Sequence, residues 1–291
     1  ITGSGPSGLA SAYSAAKNGA RVILAEDKPR FGGSLLTSDV NIGNQTGVEW
    51  AEKIIAELKT MPNVTVKNRS QVFGYYDHNM LVMSERISDH LPKTQKYLPK
   101  QRLWYIRANE VLISSGSIER PLVFGNNDTP GVMLSSAAKE YMKVYGVLVG
   151  KKPLIFTNND SGYETAIEFK KNGVNPIILD TRSKPSSDII TEAKDLNIEI
   201  KFSYVVVAAK GYKKVKSADI AKISDDKKEL FNIENIECDC ICVSGFWTPS
   251  IHLASQSGNK SKFNEKIDAF VPDKSKQKEN TIGSANGIFT L

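Results

Sequence analysis

The pattern of apolar and polar positions near the start of the chain predicts a strand, a helix and a second strand in quick succession. The alanine-rich stretch 9–18 has the composition of a helix closed by Gly19, and the apolar run 21–25 after it is typical of a strand. A second set of the same three elements follows at 153–156, 160–172 and 176–179. Each set is a βαβ unit, from which nucleotide-binding folds are built.

Between the two units the pattern changes to short runs of alternating or aromatic residues. It predicts an amphipathic helix at 50–58 and strands at 64–66, 72–76, 80–83, 103–106 and 110–114. The segment 120–131 is rich in Gly, Pro, Asn and Asp and has the composition of a linker. A strand before the glycine cluster 283–287 is expected to complete the first fold.

These elements predict an α/β protein with two Rossmann-like dinucleotide-binding folds, the second inserted into the first. The expected domains are 1–122 plus 237–291, and 123–236. Only Ile1 and Thr2 precede the first glycine loop, where a Rossmann strand needs several apolar residues, so we expect a piece cut from a longer polypeptide. The apolar end 289–291 is expected to open a further helix.

Composition limits the classes of binding partner that are expected. The 291 residues are 40% apolar and 24% charged, with a net charge of +6. The excess lysines are scattered and form no arginine-rich stripe with interleaved aromatics, so neither nucleic acid nor a membrane is an expected partner.

Cysteine and histidine offer little chemistry. Cys238, Cys240 and Cys242 alternate, which places them on one face of a strand as small core residues and suits a reducing, cytoplasmic compartment. The spacing is neither a redox pair nor a metal site, and no metal is expected. The histidines lie in polar, loop-like settings, so the catalytic residues are unknown at this stage; they are His78, His90 and His252.

The strongest motif is the loop Gly3-Ser4-Gly5-Pro6-Ser7-Gly8, a GxGxxG sequence that follows a strand remnant and opens a helix. Gly3 permits the tight turn, Gly5 lets a pyrophosphate approach the backbone, and Gly8 allows close packing of helix and strand. Glu26, an acid at the end of the next strand, can bind the ribose hydroxyls of NAD or FAD. The same carboxylate would repel a 2′-phosphate, so NADP is disfavoured.

Two further glycine segments bear on this site. Gly32-Gly33-Ser34 follows Glu26 and could form a second backbone nest over the phosphates. In the second βαβ unit, Thr157 and Asn159 stand where the first loop has Gly3 and Gly5, and Asp180 stands in the place of Glu26. Side chains there would enter the phosphate space. We expect this second fold to be kept for packing or for a changed ligand.

Several segments together resemble the alpha subunit of the heterotetrameric sarcosine oxidase family. These segments are 3–8 with 26–27, 32–33, 73–79, 116–124, 127–133, 157–161 and 243–249. The resemblance runs from end to end of the chain. It implies a two-dinucleotide-binding flavoprotein fold with NAD in the first site, for which FAD is the alternative. It also implies partners: a beta subunit with FAD and the sarcosine site, FMN near the interface, and smaller subunits. The family's tetrahydrofolate-binding domain is absent from these residues.

The resemblance also assigns positions. It implies that the first loop and three residues after the next strand surround the pyrophosphate and adenosine ribose, those three being Glu26, Asp27 and Lys28. It places Gly33 and Ser34 beside the phosphates and Val72 near the adenine. It also places Gly116, Ala285 and Asn286 where two loops close over the ligand.

The resemblance leads to a functional hypothesis: a nucleotide-binding subunit of a flavoenzyme that demethylates sarcosine oxidatively to glycine. The other products would be hydrogen peroxide and either formaldehyde or methylene-tetrahydrofolate. Two alternatives stay open. One is a self-contained FAD- and NADH-dependent oxidoreductase, whose disulfide-reducing form is disfavoured by the missing CxxC. The other is a non-catalytic nucleotide-binding scaffold.

Overall fold

The structure, a computed structural model, describes residues 1–93 and 96–290. The chain divides into two compact units. The first unit consists of Ile1–Ile118 together with the segment from Thr248 onward, and the second is the continuous stretch Glu119–Trp247. The predicted α/β class and the insertion of one fold into the other are confirmed.

The helices and strands, numbered along the chain, have the following bounds in the described ranges. The helices are α1 (Pro6–Lys17), α2 (Gly47–Thr60), α3 (Ser135–Tyr145), α4 (Ser161–Lys171), α5 (Asp188–Asp195) and α6 (His252–Gln256). The strands of the first half are β1 (Val22–Ala25), β2 (Asn41–Ile42), β3 (Gln45–Thr46), β4 (Val64–Lys67), β5 (Ser70–Tyr76), β6 (Met80–Arg86), β7 (Gln101–Arg107), β8 (Val111–Ile113), β9 (Ser117–Glu119) and β10 (Val132–Leu134). Those of the second half are β11 (Pro153–Thr157), β12 (Ile177–Asp180), β13 (Glu199–Phe202), β14 (Tyr204–Gly211), β15 (Val215–Ile223), β16 (Leu230–Glu237), β17 (Cys240–Ser244), β18 (Trp247–Pro249), β19 (Ser261–Asn264), β20 (Ala269–Pro272) and β21 (Glu279–Thr281). Short 3₁₀ helices occur at Gly33–Leu36 and Gly283–Asn286.

The first unit is built on parallel strands. β1 pairs with β4, and β8 pairs with β21. Thr2 joins the two pairs, because it forms parallel bridges to both Ala25 and Ile113. Thr2 therefore lies between the two pairs at the centre of the sheet, and the glycine loop follows it at the carboxyl edge.

Helices α1 and α2 cover this sheet through a buried cluster that includes Leu9, Leu24 and Leu58. α2 begins with a capping box, in which Thr46 and Glu49 satisfy each other's backbone N–H groups. The antiparallel strands β5, β6 and β7 form a separate sheet, and Tyr75 packs from it into a second cluster. The apolar face of each element thus explains where it docks.

The second unit has a five-stranded parallel sheet in the order β10-β17-β11-β12-β13. Helices α3, α4 and α5 pack on one face through a cluster that contains Tyr163 and Phe169. The antiparallel sheet β14-β15-β16 packs on the other face through Val206, Val215 and Ile220. The strands of the parallel sheet are buried on both faces, which accounts for their continuous apolar runs.

The structure shifts the domain boundaries from those predicted. The second unit begins at Glu119 instead of residue 123 and ends at Trp247 instead of 236. The later end follows from β17, which pairs with β10 and β11 and therefore belongs to the second sheet. The segment 120–131 is also part of this unit, since Phe124 is buried in its core.

Two smaller expectations are wrong. Cys240 and Cys242 face the helices, but Cys238 faces the opposite cluster, because the strand begins only at Cys240 and the alternation does not extend back across Asp239. At the chain end, residues 288–290 have no regular structure after the 3₁₀ turn of Gly283–Asn286, so the helix start expected at 289–291 is not seen in its described residues. Leu291, also part of that expectation, lies outside the described residues.

Candidate functional site

The first glycine loop lies at the carboxyl edge of the parallel sheet in the first unit. Glu26 follows β1 at this edge, the segment from Ser114 to Gly116 follows β8, and the 3₁₀ turn at Gly283 follows β21. In open parallel sheets ligands bind in the crevice outside the carboxyl ends of the strands. Residues predicted from distant parts of the sequence are therefore brought to one edge.

Gly3 and Gly8 are glycines because the backbone packs too tightly for a side chain. Gly3 has φ of +96°, and a Cβ built on it would overlap with the carbonyl oxygen of Ser114. A Cβ at Gly8 would overlap with the carbonyl oxygen of Gly3. The Ser114 hydroxyl reinforces this turn by donating to the carbonyls of Thr2 and Gly3 at 2.8 and 2.9 Å.

Gly5 differs from its two neighbours. A Cβ built on it would meet no atom within 4 Å, so the glycine is not required by the packing of the chain. Gly5 caps α1, whose amino end has no side-chain cap. The N–H groups of a helix start and its partial positive charge attract phosphates. The open space above Gly5 is therefore suited to an anionic group.

Glu26 is held from two sides. Its Oε2 accepts hydrogen bonds from the Ser4 backbone N–H at 2.9 Å and the Ser4 hydroxyl at 2.5 Å, and its Oε1 accepts from the Lys28 N–H at 2.9 Å. The side chain is buried, and this burial raises the pKa of the Glu26 carboxyl, while the bonds from Ser4 and Lys28 lower it in part. A carboxylate has about four acceptor sites, so Oε1 retains capacity for a ribose hydroxyl.

The second glycine pair lies against the first loop. Gly32 has φ of +125°, and its N–H donates to the Ser4 carbonyl at 3.1 Å. A Cβ built on Gly33 would lie 2.8 Å from the Gly5 Cα. Gly33 and Ser34 begin a 3₁₀ helix with no side-chain cap. Their backbone N–H groups thus lie beside the space above Gly5.

Gly116, Ala285 and Asn286 lie on the loops after β8 and β21. A Cβ built on Gly116, where φ is +79°, would lie 4.0 Å from the Ser284 hydroxyl, so these loops meet. Gly283 packs against Ser7 of α1, since a Cβ there would lie 2.5 Å from the Ser7 hydroxyl. Ala285 is buried and Asn286 is exposed. Both loops therefore border the start of α1.

Asp27, Lys28 and Val72 lie further out. Asp27 and Lys28 are exposed, and Asp27 lines a polar cavity of about 350 Å³ together with Arg69, Gln71, Ser84, Arg86 and Gln101. Val72 is half-buried in β5 and packs against the cluster that contains Tyr75. Sequence reasoning missed Arg69 and Arg86, since nothing in their spacing connects them to the glycine loop; it also missed the contact made by Ser114.

The remaining residue types contribute no evident chemistry to this edge. His78 is exposed with φ of +59°, and the three cysteines are buried free thiols. Within the described ranges no group of three or more His, Cys, Asp or Glu side chains could hold a metal ion. In those same ranges none of the helices combines the length and apolar character needed to cross a bilayer.

Fold and site together define a dinucleotide-binding oxidoreductase. The family model of pyridine nucleotide-disulphide oxidoreductases matches residues 1–278, and the chain belongs to this family. Among solved structures it is similar to thioredoxin reductase from T. acidophilum, with a TM-score of 0.75, 18% identity, and 100% and 91% of the two chains covered. L-proline dehydrogenase from P. horikoshii has a TM-score of 0.68 at 20% identity, with 98% and 50% covered. These likenesses support the fold.

Within the family, the chain is similar to named relatives. It is 37% identical to "Sarcosine oxidase subunit alpha" of Rhizobium meliloti (strain 1021), over 93% of this chain and 26% of that protein. It is 33% identical to the protein of the same name from Corynebacterium sp. (strain P-1), over 99% of this chain and 30% of that protein. The predicted resemblance is confirmed. The chain spans less than a third of the length of these relatives.

Proposed function

We propose that this chain is the nucleotide-binding part of an alpha-type subunit of a multi-subunit flavoenzyme that oxidises sarcosine. The observation that carries the proposal is the open space above Gly5 at the uncapped start of α1, with Glu26 held beside it. Its similarity to sarcosine oxidase alpha subunits over nearly the whole chain supports the choice of amine and of partners.

In this proposal the first fold holds NAD, with FAD as the alternative. The N–H groups at the start of α1 bind the pyrophosphate, and the bare Gly5 backbone lets it approach. Glu26 orients the adenosine ribose through Oε1, and the Gly33–Ser34 backbone closes over the phosphates. Asp27 and Lys28 flank the ribose, Val72 lies near the adenine, and Gly116, Ala285 and Asn286 border the ligand.

The amine chemistry belongs to the assembled enzyme. A bound flavin supplies the hydride acceptor. The sarcosine imine that results hydrolyses to glycine and formaldehyde, or passes its carbon to tetrahydrofolate, and oxygen is reduced to hydrogen peroxide. We place sarcosine and FAD on a beta subunit, FMN near its interface with this subunit, and the folate on a further domain. A cytoplasmic location is part of the same proposal.

The test uses the full-length polypeptide, expressed with and without its candidate beta subunit. Nucleotide released on denaturation is identified by mass spectrometry, which separates NAD from FAD. Hydrogen peroxide release is then assayed with sarcosine. We expect one bound nucleotide on the alpha chain and turnover only in the complex. An alpha chain that holds no nucleotide would rule out the proposed site, and a complex inactive on sarcosine would rule out the substrate.

The alternative of a self-contained FAD- and NADH-dependent oxidoreductase makes a different prediction. The similarity of the fold to thioredoxin reductase from T. acidophilum supports this alternative. That alternative requires NADH to bind in the second unit. A non-catalytic nucleotide-binding scaffold would bind nucleotide in the first unit and support no turnover in any assembly.

A further inference from the structure

We infer that the second Rossmann-like fold is sealed by its own side chains and accepts no dinucleotide, so that the chain binds one nucleotide and not two. The inference concerns Glu119–Trp247 alone and does not depend on which nucleotide fills the first unit. Four contacts at the carboxyl edge of the second sheet carry it.

The first contact fills the turn itself. Thr157 is fully buried at the end of β11, in the position of Gly3. Its hydroxyl donates to the Asn159 carbonyl at 2.8 Å and accepts from the Asn159 N–H at 3.1 Å. A Cβ built on Gly162 would lie 2.6 Å from the Thr157 Cβ. The loop therefore folds on itself around the threonine.

The second contact occupies the anion position at the start of α4. Asn159, which stands where the first loop has Gly5, is 7% exposed. Its Oδ1 accepts from the Ser161 N–H at 2.9 Å, and its Nδ2 donates to the Ser244 carbonyl at 3.1 Å. At the start of a nucleotide-binding helix this N–H would bind a phosphate oxygen. Here an amide oxygen of the chain has taken that place and is fixed to β17.

The third contact occupies the hydrogen-bond acceptors of Asp180, the residue that stands in the position of the ribose-binding acid. Asp180 is fully buried, and its Oδ2 accepts from the Tyr163 hydroxyl at 2.7 Å and from Arg182 at 2.9 Å. Its Oδ1 accepts from the Arg182 N–H at 2.9 Å and from the guanidinium Nε at 3.1 Å. Oδ1 accepts two bonds and Oδ2 three, counting a longer one from the guanidinium Nε at 3.2 Å, so no acceptor remains for ribose hydroxyls. The guanidinium also pairs with Asp160 at 2.8 Å.

The fourth contact occupies a backbone N–H group at the start of the neighbouring helix, α3. The Ser136 N–H at the start of α3 donates to Glu119 Oε2 at 2.7 Å, and the glutamate is buried. The Glu119 oxygen thus takes the place at this helix start that a phosphate oxygen would otherwise occupy. In the second unit, then, the Glu119 carboxyl and the Asn159 amide accept from N–H groups at the starts of α3 and α4, whereas the N-cap of α1 is Gly5, which has no side chain.

This difference bears on the direction of electron flow. A reductase that draws hydride from NADH needs a nicotinamide nucleotide in the second fold. If the second fold accepts no nucleotide, NADH cannot deliver electrons through it, which argues against the self-contained reductase. The second unit then serves as a scaffold, stabilised by the polar contacts that replaced the ligand.

The experiment is hydrogen–deuterium exchange of the full chain with saturating NAD, NADH or NADPH, combined with equilibrium dialysis to count the bound nucleotide. We expect at most one equivalent per chain, with protection confined to peptides that cover residues 3–9 and 26–34. Peptides that cover 157–163 and 180–182 should exchange at the same rate with and without nucleotide. Two equivalents per chain would overturn the inference. So would a single equivalent whose protection maps onto 157–163.

A variant tests whether the Asn159 side chain occupies the start of α4. Asn159→Gly removes the side chain and should speed exchange at the Ser161 N–H by about tenfold, which corresponds to the loss of one hydrogen bond. Asn172→Gly, at the exposed carboxyl end of the same helix, is the matched control and should leave Ser161 unchanged. Unaltered exchange at Ser161 in Asn159→Gly would show that the amide does not occupy the helix start.

Discussion

Ser4 and Glu26, 22 residues apart, are joined by two hydrogen bonds to a single carboxylate oxygen, one from the Ser4 N–H at 2.9 Å and one from its hydroxyl at 2.5 Å. The glycine loop and the acid of the next strand are thereby fixed relative to each other by the chain's own contacts. Preorganisation of this kind lowers the cost of ordering the site on binding.

From this arrangement we expect NAD to bind more tightly than NADP by about tenfold or more, because the Glu26 carboxylate repels a 2′-phosphate. Calorimetric titration of both nucleotides measures the ratio, which should widen as the pH rises, because burial raises the pKa of Glu26 and only the ionised carboxylate repels the phosphate. Glu26→Gln removes the charge and should narrow the ratio. Equal affinities in the wild type would mean that Glu26 does not face the ribose.

Gly5→Val should abolish nucleotide binding and leave the second unit folded. The φ of −64° at Gly5 suits any residue, and no protein atom lies within 4 Å of its Cβ position, so the side chain enters only the space proposed for the pyrophosphate. Nucleotide released on denaturation is compared with the wild type. Ser14→Val, exposed on the same helix, is the control and should retain the nucleotide. Full retention by Gly5→Val would place the ligand elsewhere.

Gly8→Ala and Gly5→Ala should differ in stability. A methyl group at Gly8 overlaps with the Gly3 carbonyl oxygen and lies 2.6 Å from the Ser114 hydroxyl, which should cost about 3 kcal/mol. The same change at Gly5 meets open space and should cost about 1 kcal/mol or less. Urea unfolding compares the two variants. Equal losses would contradict the packing described around Gly8.

Glu119 should make the stability of the second unit depend on pH. Burial raises the pKa of its carboxyl, while the Ser136 N–H lowers it in part. The folded state therefore holds this proton more tightly than the unfolded state, whose pKa is about 4.3. The stabilisation is complete below that pH and is lost as the pH rises through the folded-state pKa.

The measured quantity is the difference between the free energies of unfolding of the wild type and of Glu119→Gln. Unfolding is monitored by the fluorescence of Trp247 in a background in which the other tryptophans are replaced by phenylalanine. The difference should fall as the pH rises from about 4 to about 7, because only the wild type must ionise a buried carboxyl. A difference that rises over this interval would show that the folded-state pKa is lowered.

The chain purified alone should oxidise no sarcosine, even where it holds its nucleotide. No side chains with the arrangement of an acid–base pair or a nucleophile surround the loop in the residues described, and two similar proteins are each named as the alpha subunit of a sarcosine oxidase. Hydrogen peroxide release is assayed before and after addition of the candidate beta subunit. Turnover without a partner would favour a self-contained flavoenzyme.

Local sequence determined much of the first site. The spacing of Gly3, Gly5, Gly8 and Glu26 is sufficient to predict a strand, a tight turn, a helix start and an acid, because each step depends on neighbours a few residues away or on the next strand. The apolar runs likewise determined the parallel sheets and the insertion of one fold into the other. Gly5 was predicted as the point of ligand approach by this local logic.

Tertiary structure decided whether each site is open. Thr157, Asn159 and Asp180 have the same spacing as the residues of the first site, so spacing cannot show that Asn159 reaches Ser244, 85 residues away, and stabilises the helix start itself. The same holds for Ser114, which closes the first turn from 111 residues away, and for Cys238, which packs on the opposite face from Cys240. Such contacts depend on which segments the folded sheet brings together, and the local pattern of apolar and polar residues does not specify that pairing.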